Sequence, residues 1–181
     1  MNTEGAIRMI VRPVRHDDVP AVIDLLNREI VTGVNIFRLV PLDETMAMRW
    51  WNLHGQGRYQ AVVVEIRSET GGQPRFAGWA SLSPHSAYEG YNRTAEISVW
   101  VDQAHRGMGC GKALVTELLG GCADRQIRTV ISRIESNNRA SIRLHESCGF
   151  KHVGLLEDVG EKFGRSLSVA LMQHHADPGK R

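Results

Sequence analysis

Cysteine is scarce in this chain of 181 residues. Cys110, Cys122 and Cys148 form an odd count with no CxxC and no Cys/His ligand spacing, which argues against a disulfide framework or a structural zinc site and fits a reducing cytoplasm. Long apolar runs are missing. No stretch approaches the ~18 apolar residues of a membrane span, and Met1–Ile10 has no charged head followed by a long apolar region, so neither membrane insertion nor secretion is expected. Charge of one sign is missing too: 22 Lys and Arg are scattered among 20 Asp and Glu, net +2, without the dense basic run of a nucleic-acid footprint. The histidines lack HExxH grammar and no G-x-S-x-G elbow occurs, so no catalytic metal and no serine nucleophile are expected.

What is present suffices for one core. The composition is 42% hydrophobic and 23% charged, over the length of a single domain, with no repeat, low-complexity tract or linker. We expect one domain over residues 6–176, with flexible tails at 1–5 and 177–181.

The alternating, β-branched run Ile7–Val14 predicts a first strand. His16-Asp17-Asp18 offers an N-cap, with Pro20 in the first turn, for an amphipathic helix over Asp18–Ile30 whose stripe is Val19, Val22, Ile23, Leu26 and Ile30. A second helix is expected over Asp43–Leu53 after a loop, Thr32–Val40. Tyr59–Arg67 and Arg75–Ser83 flank strong turn chemistry and predict an antiparallel hairpin. After the loop Ser83–Arg93, strand Thr94–Val101 sets Ala95, Ile97 and Val99 on one face and Glu96, Ser98 and Trp100 on the other. Strand Ile127–Ile134, helix Ser136–Ser147 and strands His152–Leu156 and Phe163–Met172 follow. This order argues a mixed α/β sheet with helices on both faces.

The sharpest feature is strand, Gly-rich turn, helix. In Arg106-Gly107-Met108-Gly109-Cys110-Gly111-Lys112 the glycines let backbone N–H groups point inward and the helix N-terminus adds its positive dipole. Arg106 and Lys112 add charge, which together suits a phosphate or pyrophosphate. The alternative is a loop that only turns a corner. The spacing is G-x-G-x-G after about the fourth strand, which weakens a dinucleotide fingerprint, and Lys112 is followed by Ala113, which weakens a Walker A loop.

These residues resemble the Q/R-x-x-G-x-G/A signature of the GNAT N-acetyltransferase superfamily. Asn138-Arg139-Ala140-Ser141-Ile142-Arg143-Leu144-His145-Glu146-Ser147-Cys148-Gly149-Phe150 resembles its N-x-x-S-x-x-L-[HY]-E-x-x-G-F helix. Glu96-Ile97-Ser98-Val99-Trp100-Val101 and Val159-Gly160-Glu161-Lys162-Phe163-Gly164-Arg165 are similar to blocks of the phosphinothricin and methionine sulfoximine acetyltransferase branch. The resemblance covers nearly the whole chain. It implies a seven-stranded, mostly antiparallel mixed sheet that splays between strands 4 and 5, acetyl-CoA as cosubstrate, a small amino-acid-like primary amine as acceptor, and a homodimer.

Under that resemblance the loop from Arg106 to Lys112 holds the pyrophosphate. Backbone groups of Val99, Trp100 and Val101 pair with the pantetheine arm as an added strand would. Asn138 and Ser141 line that arm, although Asn138 can equally be a helix N-cap. An ammonium must lose its proton before attacking a thioester, and Glu96 is the candidate base, its alternative being a cross-strand ion pair. His145 stands where many GNAT enzymes carry a tyrosine that protonates the leaving thiolate; a passive helix histidine is the alternative. Cys110 and Cys148 lack a paired base and read as small buried hydrophobes.

The acceptor side departs from the branch. Arginines expected in the loop Ser83–Arg93 are replaced by Ser86 and Asn92, the early Phe-Glu pair is Phe37-Arg38, and the closing W-x-D is Ser166-Leu167-Ser168. Phe37, His85, Tyr88, Tyr91 and Arg93 are the candidate substrate contacts, with the tyrosines alternatively plugging the sheet edge. Acetylation of a protein or peptide amine, or acyl-CoA binding without turnover, are the competing functions.

Overall fold

The computed structural model describes residues 7–68 and 71–176, and the two expected tails lie outside the described residues. The elements run β1 (Ile7–Pro13), α1 (Val19–Thr32), α2 (Glu44–His54), β2 (Ala61–Ser68), β3 (Arg75–Pro84), β4 (Thr94–Val101), α3 (Cys110–Gly120), β5 (Thr129–Glu135), α4 (Arg139–Ser147), β6 (Lys151–Lys162) and β7 (Arg165–His175). They build a seven-stranded sheet in the order β1-β2-β3-β4-β5-β7-β6. Only β4 and β5 are parallel; the other neighbours are antiparallel.

Strand periodicity sorts side chains into two cores. Val62, Val64, Ala80 and Leu82 pack with Leu114, Val115 and Leu118 of α3. Their neighbours Ala61, Val63 and Trp79 pack with Val22, Leu25, Leu26 and Ile30 of α1. Because both faces are covered, the first four residues of β2 are all buried, which is why that strand reads as a continuous apolar run.

Helix starts differ from expectation for local reasons. Asp18 makes no cap with its side chain. Its carboxylate instead takes two bonds from Arg12, at 2.7 and 2.9 Å, and one from the backbone N–H of Arg15, stitching β1 to the entry of α1. Asp43 does cap α2, accepting from Met46 N at 2.8 Å, a bond typically worth about 1 kcal/mol. α4 begins at Arg139 and not at Ser136, because the N–H of Ser136 donates to the carbonyl of Ser168 on β7.

The last hairpin is longer than the sequence pattern predicts. β6 continues past Leu156 to Lys162 across a register shift between Leu156 and Gly160, and Phe163-Gly164 form the turn before β7. Asp158 takes φ 50° at the irregularity. Its N–H donates to Ser168 Oγ at 3.0 Å, and Ser166 Oγ donates to its carboxylate at 2.6 Å.

The feature that creates the site is the short β4–β5 pairing. It consists of Thr94–Thr129, Ala95–Val130 and Glu96–Ile131. Beyond Glu96, β4 stays bonded to β3 as far as Val101, and β5 stays bonded to β7 as far as Glu135. The two halves of the sheet therefore diverge, leaving facing strand edges without each other.

A candidate acetyl-CoA and amine site

A cavity of about 460 Å³ occupies this splay, walled by Ile97 to Val101 of β4, Ser132 to Glu135 of β5, the Gly-rich turn and the first two turns of α4. Of the residues singled out for the cofactor, Val99, Trp100, Val101, Arg106, Gly107, Gly109, Cys110, Gly111, Lys112, Asn138 and Ser141 line it, and so does His145. Met108 is exposed and stands outside the lining. Glu96, Phe37, His85, Tyr88, Tyr91 and Arg93 are not part of this wall.

The three alternating glycines have different local reasons. Gly107 and Gly109 have φ of 79° and 86°, the left-handed region where a Cβ costs about 1–2 kcal/mol. Gly111 is instead needed for closeness, since a Cβ there would lie 2.9 Å from Leu144 Cδ2 on α4. Gly109 is the N-cap of α3 and offers no side chain, so the first-turn N–H groups, which have no partner within the helix, stay open to an anion. Arg106 reaches in two directions: its Nε donates to the Val101 carbonyl at 3.1 Å, and its guanidinium pairs with Glu29 of α1 at 2.5 Å. An unobstructed N–H cradle, two flanking cations and an open strand edge fit the pyrophosphate and pantetheine portions of acetyl-CoA.

On α4, Asn138 Oδ1 accepts from Ser141 N at 3.1 Å, so it is the N-cap while still lining the cavity. His145 is buried, 3% exposed. Its Nδ1–H donates to the Ser141 carbonyl at 2.8 Å, and its Nε2 is buried with no partner among the described residues. Burial pushes the imidazole below its ordinary value, outweighing the opposing pull of the Ser141 carbonyl. The ring is edge-on to Phe150.

Glu96 is the last paired residue before the opening. It is partly buried, with a side chain 25% exposed, and each oxygen faces a donor: Oε1 lies 2.8 Å from His85 Nδ1, and Oε2 lies 3.7 Å from Arg133 Nη1 on β5. The cross-strand ion pair foreseen as the alternative is thus present together with a histidine contact. His85 stacks edge-on with Tyr91, whereas Tyr88 is 75% exposed. The exposed Arg93 anchors the base of the loop through its carbonyl, which accepts from the N–H groups of Arg128 and Thr129.

Phe37 packs against the backbone of Gly160 on β6, where a Cβ would collide with its ring. Next to it, buried Lys162 donates to the Ile36 carbonyl at 2.9 Å, and burial pushes its ammonium down. Arg38 folds back on its own loop, Nε donating to the Val40 carbonyl.

Glu29, Arg133, Glu135 and Arg143 also line the cavity and were not identified from sequence, whereas Asn35, which lines it too, falls in the expected loop Thr32–Val40. Arg133 and Glu135 follow from period 2 along β5 once Ile131 is known to face Glu96. Arg143 follows Ser141 on the cavity side of α4. Glu29 carries no sequence signal. The thiols of Cys110 and Cys122 are buried, which pushes both up, Cys122 to about 11, so they are protonated at neutral pH. Among the described residues, no group of three or more His, Cys, Asp or Glu is placed to hold a metal, and no helix is long and apolar enough to cross a membrane.

Comparison with known proteins agrees with this geometry. Residues 8–151 match the family model for the acetyltransferase (GNAT) domain. The chain is 30% identical over 169 residues to the L-amino acid N-acyltransferase MnaT of Escherichia coli K12, covering 93% of this chain and 95% of that protein. A GNAT superfamily phosphinothricin acetyltransferase from Sinorhizobium meliloti, solved in complex with acetyl-CoA, superposes with a TM-score of 0.82 at 30% identity, over 92% of this chain and 88% of the other. A ribosomal-protein-alanine N-acetyltransferase from Brucella melitensis superposes with a TM-score of 0.83 at 31% identity, over 92% and 99%. With the splayed sheet, the N–H cradle and a family match over most of its length, the chain belongs to the GNAT acetyltransferase family.

Proposed function

We propose that this chain transfers acetyl from acetyl-CoA to the primary amine of a small amino-acid-like molecule, such as phosphinothricin, methionine sulfoximine or a related amino acid, by direct attack in a ternary complex. It is an acetyl-CoA-dependent N-acetyltransferase. The observation that carries the reading is the opening of the sheet beyond Glu96, with the pyrophosphate cradle at one end and a carboxylate at the other. The L-amino acid activity named for the E. coli relative supports an amino-acid-like acceptor.

Bound acetyl-CoA supplies an activated acyl carbon. The chain's residues orient and deprotonate. N–H groups of the Gly107–Lys112 turn and the side chains of Arg106 and Lys112 hold the pyrophosphate, the free edge of Val99 to Val101 holds the pantetheine amides, and Ser141 and Asn138 flank that arm. The ammonium proton of the acceptor leaves toward Glu96. His145, neutral at Nε2, takes a proton from the attacking nitrogen and passes it to the departing sulfur. Phe37, His85, Tyr88, Tyr91 and Arg93 frame the acceptor.

Residues 6–176 work as one domain in this reading, in a reducing cytoplasm that suits three free cysteines. Self-association as a homodimer is supported by the edge strand β6, where Val153, Leu155, Leu156 and Val159 are exposed. The ribosomal-protein relative favours a second reading, acetylation of a protein amino terminus. Release of CoA thiol with a panel of free amino acids, against a panel of peptides, separates the two.

A further inference from the structure

We propose that the atom which takes the acceptor's proton is Nε2 of His85, and that Glu96 acts by holding that ring. This rests on the acetyltransferase reading and deepens it. A carboxylate can only accept a hydrogen bond, so the 2.8 Å contact between His85 Nδ1 and Glu96 Oε1 puts the ring proton on Nδ1. In the neutral ring the lone pair is then at Nε2, the nitrogen that the Glu96 contact does not use.

The carboxylate is already committed. Oε1 accepts from His85 and Oε2 faces Arg133 at 3.7 Å. Direct transfer to Glu96 would use Oε2, which stands beside the Arg133 guanidinium, an opposite charge that disfavours protonation there. The ring also meets Tyr91 edge-on, with centroids 5.3 Å apart, so it has one strand contact and one loop contact. A carboxylate–imidazole pair of this kind fixes the tautomer and stabilises the imidazolium that forms. The pair adjoins the splay, because Arg133 both touches Glu96 and lines the cavity.

The proton count closes. An ammonium gives one proton to His85 Nε2; the freed lone pair forms the N–C bond as the C–S bond breaks; the second proton of the nitrogen goes to the thiolate. Imidazolium then releases its proton to solvent, to which the His85 side chain is 25% exposed. The titratable and charged groups around the ring are Glu96 on β4, Arg133 on β5 and Tyr91 in its own loop, with His54 of α2 bonded to neighbouring Ser83.

The test uses the amino acid that wild type acetylates fastest among the L-amino acids, phosphinothricin and methionine sulfoximine. His85→Gln is expected to lower kcat about 100-fold or more at pH 7 with little change in KM and unchanged acetyl-CoA binding by calorimetry. The loss should shrink as pH rises and the amine deprotonates unaided. Glu96→Gln should lose comparably, and the double variant little more, as for groups acting as a unit. Nitrogen NMR of the free protein should find His85 protonated at Nδ1. If His85→Gln keeps kcat within about threefold while Glu96→Gln loses it, the proposal falls and Glu96 is the base; if the ring is protonated at Nε2 alone, the proposal falls as well. If both variants keep full rate, the deprotonation step assigned to this pair fails with it, and if wild type acetylates nothing in the panel, so does the amino-acid acceptor.

Discussion

His145 donates through Nδ1 to the carbonyl of Ser141, one turn back on α4, at 2.8 Å. That bond fixes the ring as the tautomer with its lone pair at Nε2, buried and unpartnered among the described residues. A ring in this state is no ready proton donor, so any help it gives a departing thiolate requires it to be protonated first by the reaction itself.

The burial of this ring, which outweighs that bond, bears on stability. Burial lowers the folded-state pKa of His145 and of His54 below the ordinary value near 6.5. Below that pH the unfolded chain binds more protons than the folded one, so stability is full above about pH 6.5 and declines as pH falls toward the folded-state values. Urea midpoints should drop between pH 7.5 and 5. His145→Gln should flatten the decline, and a midpoint that rises on acidification would contradict the account.

Arg106 holds Glu29 in the free protein and is assigned to the pyrophosphate. Its side chain is 51% exposed, so Arg106→Ala should weaken acetyl-CoA binding by about tenfold, near the lower end for a charged hydrogen bond. Glu29→Gln removes the competing anion and should tighten binding a few-fold, more at low salt than at high. Calorimetry at two ionic strengths checks both signs.

Gly160 and Lys162 join β6 to the Phe37 loop. Gly160→Ala forces the Phe37 ring off β6, because the added carbon would collide with it. If Phe37 frames the acceptor, KM for the amine should rise about tenfold while the acetyl-CoA dissociation constant stays the same. A rise in both would instead mean that the whole splay had been disturbed.

Much of the cofactor side was legible in the sequence. Thr94–Val101 alternates cleanly and ends at a Gly-rich turn, and its predicted bounds match β4. The glycine spacing was readable because φ near 80° at Gly107 and Gly109 admits few other residues. The acceptor side was less legible because it depends on register. That Arg133, two residues beyond Ile131, reaches Glu96 follows only from a three-residue parallel pairing, and the length of β6 follows from Ser166 and Ser168 satisfying the irregularity at Asp158. Both serines read in sequence only as departures from a family motif. Asp18 likewise looked like a cap, but Arg12 claims its carboxylate.

The acceptor is identified by CoA thiol release from acetyl-CoA with purified protein, across free L-amino acids, phosphinothricin and methionine sulfoximine, beside a set of peptides with free amino termini. Turnover is expected with at least one free amino acid or analogue, reduced about 100-fold or more by Glu96→Gln. Acetylation of peptide amino termini with none of any free amino acid would contradict the amino-acid acceptor.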